Sequence, residues 1–470
     1  MLLKPESEWW PNIFLFVFTF YAIYFVDELT FIAGPIIRVN PNELHIDDPS
    51  FYDQLYNFSP DIDRPKVTLG KYNLQNSPSF DLHRVRRKAL DPYFSKTTVL
   101  KLEDVVASCV IQLCHWFHQA RNTGSPLDVG LLARSLTSDV ITEYLFAKPY
   151  GFLEDPVKSE VFFAANNSIF QIVFMLRESW IVAKILNAMQ AIPPSCLPAG
   201  PRSFVPFVKM NFEIQTVRDR INLSKVRREK GLLAAAGHRV MFDDWDTLEL
   251  PPQDKSAQAQ EDNALLFVSA GFETTGFAIE TAIYHVLANQ EILEKLKQEI
   301  SPLIASSKSS TGLPSWTELE KLPYLTAVIH ESLRMSLGVS SRLPRKNSKS
   351  DMVYKDWVIP KGQFVGMTQT DILYNADIYP DPKRFDPERW LKGEESKELL
   401  NKYLVTFSKG ARRCIGMHLA YAELFLMLAA VFGQFDLELY QTTRKDVDPV
   451  IDYFIPKPDA DSKGVRVLVE

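Results

Sequence analysis

Through most of the chain, apolar residues recur at three- and four-residue intervals, the spacing of one buried helical face. That pattern predicts helices from Val99 to His118, Leu131 to Phe146, Phe204 to Lys230 and Ala257 to Asn289. A further amphipathic helix is expected from Leu322 to Arg334, and a last one from Met417 to near Phe435. Strand-like alternation is confined to short stretches. Ile36 to Ile46 reads as strand, turn and strand, and Val353 to Phe364 alternates around a Pro360-Lys-Gly turn; two or three strands close the chain near Leu437 to Tyr440 and Val465 to Val469. Asp48-Pro49 starts a helix through Phe51 to Tyr56, because proline is tolerated in a first helical turn. Residues 59 to 79 hold three prolines and no sustained period, and read as loop. The expected fold class is mainly α with a smaller β part.

At 470 residues the chain exceeds the usual size of a single core, so length alone suggests two or three domains. Apolar residues make up 46% and charged residues 23%, which argues against long disorder. The net charge of −6 gives no reason to expect nucleic acid as a partner. The four cysteines, Cys109, Cys114, Cys196 and Cys414, are spread too unevenly for a secreted disulfide framework and suit a reducing compartment.

Trp9 to Val26 is an uncharged run, at the short end of what crosses a bilayer, with Trp9, Trp10 and Tyr24 placed for its two interfaces. A single membrane anchor is the favoured reading. The rivals are a signal peptide, for which no small-x-small cleavage site is evident, and a buried core segment.

The chemistry concentrates in Phe407-Ser-Lys-Gly410-Ala-Arg412-Arg-Cys414-Ile-Gly416. A cysteine beside two arginines and ahead of a helix favours the thiolate, the form that binds metals. Two flanking glycines allow tight turning and close approach to a flat ligand. A lone cysteine at a helix start is more often a small buried hydrophobe. The whole string, however, resembles the haem-ligand loop of the cytochrome P450 superfamily at every motif position. By that resemblance Cys414 is the axial thiolate of a haem iron, Phe407 shields the sulfur and Arg412 binds a haem propionate.

Other motifs fall in the order the resemblance implies. His83 and Arg87 lie one helical turn apart on a helix expected to run to about Leu90, and can address one anion together. A solvated basic helix is the plain alternative, but the resemblance assigns both to propionates, although His83 stands where many relatives have tryptophan. Ala270-Gly-Phe-Glu273-Thr274-Thr275 weakens its own helix, since mid-helix glycine costs up to about 1 kcal/mol. A local widening there would admit water and O2, and threonine can bond back to the carbonyl four residues earlier. The string resembles the family's oxygen-activating motif, with Glu273 and Thr274 in the proton-supplying places; a small-residue helix crossing is the alternative.

Glu331 and Arg334, with Pro387-Glu-Arg389-Trp, match the family's buried ion-pair lock, and Arg345 matches a propionate ligand. Residues near Val339 to Leu343 would border the substrate cavity, and the pair of helices from Phe162 to Met189 and Phe204 to Lys230 would roof it.

The resemblance implies one catalytic unit, residues 31–470, behind an anchor and short linker, residues 1–30. Relatives usually carry a proline-rich hinge and a further helix between anchor and first strand, whereas this chain passes from Val26 to Gly34 in eight steps. Gly-Pro-Ile-Ile-Arg-Val-Asn-Pro-Asn-Glu-Leu-His-Ile and Asp-Leu-His-Arg look like fungal secondary-metabolism members similar to trichodiene oxygenase. A monooxygenase is therefore expected, acting with O2 on a lipophilic terpenoid or polyketide and drawing electrons from an NADPH-dependent flavoprotein reductase. Arg84, Arg86, Lys88, Lys409 and Arg413 would offer that reductase a basic face. The resemblance places the anchor in the endoplasmic reticulum, with the catalytic part in the cytosol. An isomerase, a dehydratase, a peroxide-driven enzyme and a non-catalytic haem binder are the alternatives.

Overall fold

The computed structural model describes residues 34–65, 71–164, 166–167, 205–232, 238–309 and 311–470; for 205–213 it describes the backbone alone. The expected anchor, Cys196 and most of the first roof helix lie outside the described residues.

Strands β1 (Ile36–Asn40) and β2 (Glu43–Ile46) pair antiparallel as the alternation predicts. Asp48 then caps the next turn, its carboxylate accepting from the Ser50 N–H ahead of Pro49–Phe51 and Tyr52–Leu55. Among its described residues the loop contains one short strand, β3 (Ile62–Asp63).

Helix α1 (Phe80–Phe94) starts at Ser79, whose hydroxyl accepts from the Leu82 N–H. It runs past the expected end at Leu90 and through Pro92. Burial of Tyr93 and Phe94 and a 2.6 Å hydrogen bond from the Tyr144 hydroxyl to the Tyr93 carbonyl hold this last turn. Helix α2 (Glu103–Thr123) ends at Gly124 in the left-handed region, and β4 (Leu127–Asp128) leads into α3 (Val129–Phe146). Helices α4 (Val205–Glu229), α5 (Ala257–Leu287), α6 (Gln290–Ser306) and α7 (Pro323–Met335) follow.

The strands β5 (Lys346–Asn347), β6 (Met352–Tyr354), β7 (Trp357–Ile359) and β8 (Phe364–Gly366) come next. Helix α8 (Glu394–Tyr403) and the apolar α9 (Met417–Gln434) precede the closing strands β9 (Leu437–Leu439), β10 (Ile451–Tyr453), β11 (Ile455–Lys457) and β12 (Arg466–Val469). β8 joins β2 in parallel, and β12 sits between β4 and β9. Among the described residues, α9 alone is long and apolar enough to cross a membrane; it is mostly buried in the core.

The α3–α5 crossing positions the site. Gly276 lets α5 lie against α3, since a Cβ there would stand 2.8 Å from Arg134 Cγ and 3.2 Å from the Arg134 backbone. Gly271 likewise faces Ile141, and the Thr137 hydroxyl donates to the Phe272 carbonyl at 3.0 Å. These contacts supply what the weak Ala270–Thr275 stretch lacks in propensity. Helix α5 is assigned as helix without a break from Ala257 to Leu287. Gly276→Val should therefore destabilise the fold by about 1 to 3 kcal/mol through overpacking against a neighbouring backbone. Urea unfolding measures this, and an unchanged midpoint would refute the tight crossing.

Candidate active site

The loop before α9 folds back on itself: the Cys414 N–H donates to the Phe407 carbonyl at 2.8 Å. Two left-handed residues, Ser408 and Gly410, make the reversal. Only glycine fits at Gly410, because a Cβ would lie 2.3 Å from the Asn57 carbonyl oxygen. Its freedom thus seats the loop on the protein's own backbone, where the Ala411 N–H also donates to the Asn57 carbonyl. Gly416 has ordinary φ of −82° and nothing within 4 Å of where its Cβ would project. The Phe407 ring packs against Tyr421, with centroids 5.5 Å apart.

Cys414 is solvent-accessible, yet it stands deep enough among protein atoms to feel desolvation. Burial pushes its thiol above the ordinary value, outweighing the Gly416 N–H and the Arg87 charge. The expected thiolate preference is therefore not intrinsic to the loop, and a bound metal would have to displace the proton. Cys109 and Cys114 are buried on α2, where burial pushes both thiols above their ordinary value, and they act as core residues.

Beside this loop the chain gathers cations. Arg412 donates to the Ser77 and Pro78 carbonyls at 2.7 and 3.2 Å, while its Nε is buried without a partner. Arg345 is buried, bonded to the Leu343 and Pro344 carbonyls and stacked over Tyr56 with its Cζ 5.1 Å from the ring centroid. The two arginines line one recess with Tyr56, Asn57 and Phe80. Neither forms an ion pair with a carboxylate among the described residues. Burial and then the Arg345 charge press Arg412 down to about 9. His83 is buried, and burial together with Arg412 and Arg87 holds it at about 2, so it is neutral at physiological pH. Arg87 pairs with Asp91 and donates to the Arg413 carbonyl at 2.6 Å, which ties α1 to the cysteine loop.

A flat dianionic ligand bearing a metal fits these groups. The sulfur is reachable, Gly416 leaves room beside it, and the buried Arg345 and half-buried Arg412 guanidinium groups suit carboxylates.

Glu273 and Thr274 diverge from each other. Thr274 bonds back to the Ala270 carbonyl at 2.9 Å, as its position predicts. Glu273 is buried and held by Arg134 at 3.1 Å and by the Lys457 ammonium in a closer contact. Burial raises its carboxyl, but Lys457 and Arg134 overcome that and hold it down at about 2. Arg134 also reaches Glu280 at 2.9 Å. These partners lie 139 and 184 residues from Glu273, and no local pattern announces them.

A third residue missed from sequence is Glu423, a carboxyl within the apolar α9. It bonds Thr275, and burial raises it well above the usual range. Its position in an otherwise hydrophobic helix was the available signal.

The expected basic docking face is corrected in part. Arg86 is buried and binds Asp254 through two bonds of 2.9 and 2.6 Å, so it cannot meet a partner. Arg84 faces Asp81, Lys88 lies 3.7 Å from Glu249, and Lys409 binds Asp53 at 2.6 Å. Arg413 is exposed.

A family model described as Cytochrome P450 matches residues 51–459. The chain is 34% identical over 445 residues to cytochrome P450 monooxygenase sdnE of Sordaria araneosa, covering 93% of this chain and 86% of that protein. It is 32% identical over 458 residues to fusicoccadiene C-8 hydroxylase of Phomopsis amygdali, covering 93% and 84%. It is 31% identical over 421 residues to cytochrome P450 monooxygenase TRI4 of Trichoderma arundinaceum, covering 88% and 79%. With the cysteine loop and its cationic surroundings, these matches establish that the chain belongs to the haem-binding cytochrome P450 family.

Proposed function

We propose that the protein is a haem-thiolate monooxygenase that inserts one oxygen atom from O2 into a lipophilic, terpenoid- or polyketide-like natural product of fungal secondary metabolism. The second oxygen leaves as water, and an NADPH-dependent flavoprotein reductase supplies the electrons. The observation that carries this reading is a reachable Cys414 beside buried Arg345 and half-buried Arg412, neither with a carboxylate partner among the described residues. Haem, when bound, supplies the oxygen-activating and redox chemistry.

The chain's own residues bind and supply protons. Cys414 is the metal ligand, with Phe407 packed behind its loop. Arg345 and Arg412 bind propionates, with His83 and Arg87 completing that side. Glu273 is a carboxylate rather than a stored acid, so the adjacent Lys457 ammonium holds the proton that Glu273 passes along α5, and Thr274 orders water. Residues 31–470 form one catalytic unit on the cytosolic side of the endoplasmic reticulum membrane, and residues 9–26 form the single-pass anchor.

The proton route is tested by Glu273→Ala combined with Thr274→Ala. NADPH oxidation should continue while product per NADPH falls about tenfold or more, the scale of a lost acid–base contribution. Unchanged coupling would assign the protons to another route. Turnover without NADPH would favour an isomerase or dehydratase.

A further inference from the structure

Arg86 is buried on α1, and the chemistry proposed above makes no use of it. Its guanidinium engages the fold through all three nitrogens. Nε and Nη2 donate to the Asp254 carboxylate at 2.9 and 2.6 Å, while Nη1 donates to the Asn73 carbonyl at 2.9 Å and to the Ser77 hydroxyl at 3.0 Å. Asp254, in the Pro252–Lys255 turn ahead of α5, and Ser77 are buried as well. Ser77 is thus gripped twice, its hydroxyl by Arg86 and its carbonyl by Arg412, whose Nη1 donates there at 2.7 Å. Arg412 Nη2 donates to the Pro78 carbonyl at 3.2 Å, and the Arg64 N–H holds that same carbonyl at 2.9 Å.

We infer that Arg86, braced by Asp254, is a positioning residue for the cofactor: it fixes the Ser77–Pro78 carbonyls that orient the Arg412 guanidinium, and so keeps Arg412 Nε available to a haem carboxylate. The inference rests on reading Arg412 as a propionate ligand.

Arg412 Nε is buried without a hydrogen-bond partner although both terminal nitrogens are satisfied, and a buried donor left in that state is costly unless an acceptor arrives. A guanidinium is a rigid planar fork, so fixing two of its nitrogens fixes the direction of the third. The carbonyls that do the fixing belong to a segment without helix or strand, which has no ladder of its own to hold it. Arg86 and Asp254 supply that support from elements that do. Consecutive residues on a helix point about 100° apart, and α1 uses this: Arg86 takes the segment ahead of the helix, while Arg87 takes the Arg413 carbonyl at 2.6 Å. One helix therefore steadies Arg412 from both sides.

The test is the rate of haem transfer from the full-length holoprotein to a competing apoprotein, measured beside the urea midpoint of the haem-free chain. Arg86→Met with Asp254→Leu removes both charges together, so neither is stranded and the fold keeps its stability. Haem should leave this variant about three to ten times faster, a part of what a charge-assisted bond from Arg412 contributes. In an Arg412→Met background the same two substitutions should change nothing further, because groups that act through one another are not additive. A stable paired variant with wild-type transfer overturns the inference, as does an equal acceleration with and without Arg412. Should the paired variant fail to fold, Ser77→Ala decides: it removes only the hydroxyl that Arg86 holds, faster transfer supports the inference, and wild-type transfer overturns it. Arg412→Met with unchanged transfer would overturn the propionate assignment too, whereas faster transfer in Arg412→Met alone would leave that assignment standing and remove only the role of Arg86.

Discussion

Glu331→Ala is expected to prevent accumulation of folded holoprotein. The Glu331 carboxylate is fully buried and receives Arg334 through two bonds of 2.9 and 2.7 Å. It also accepts from Arg389 at 3.1 Å, from the Trp390 indole at 2.9 Å and from the Asp386 N–H at 2.9 Å. Arg334 in turn donates to the Leu373 and Pro382 carbonyls, both at 2.8 Å. One carboxylate thus fixes α7 to the Pro387–Leu391 turn. Removing it strands two buried guanidinium groups, at a cost of about 3 to 5 kcal/mol, a large share of the stability of an ordinary domain. Soluble yield and urea midpoint report the loss. A Glu331→Ala protein with wild-type stability would remove the network from its structural role.

Arg345→Met together with Arg412→Met should give a different signature. In the chain alone buried Arg345 and half-buried Arg412 repel each other without a carboxylate, so relief of that repulsion should offset the lost bonds to the Leu343, Pro344, Ser77 and Pro78 carbonyls and leave apoprotein stability little changed. Haem retention should fall, because a charge-assisted hydrogen bond contributes about 1.5 to 3 kcal/mol, roughly tenfold or more in affinity for each. Transfer of haem to a competing apoprotein measures this. Lower apoprotein stability with unchanged haem retention would mean that the arginines serve the fold instead.

Most helices were legible because their apolar periodicity is strong, and the Cys414 loop because ten residues carry one chemistry. Helices α6 and α8 were not read, and the rest of what escaped is long-range or very short. The Ile451–Lys457 hairpin has three-residue strands, below the length at which alternation can be recognised, and its tip residue Phe454 is in the left-handed region. Its consequence for the site is Lys457, whose role depends on a contact made across the fold.

Pro92 misled for the opposite reason. Proline ordinarily ends a helix, but here Tyr93 and Phe94 are buried, and their packing outweighs the local preference. Of the two readings of Ala270–Thr275, the close helix crossing is what the glycine serves, while Glu273 enters a buried charge network that neither reading foresaw. The thiol of Cys414 shows the limit of local electrostatics, since the Gly416 N–H and the Arg87 charge do not outweigh burial.

The central claim, that Cys414 is the thiolate holding haem iron, is tested most directly by the absorption spectrum of the reduced, CO-bound protein beside its Cys414→Ser variant. The wild type should show the red-shifted Soret band of thiolate-ligated haem, and the variant should lose it. Persistence of that band in Cys414→Ser, or a wild-type chain that takes up no haem, would contradict the account.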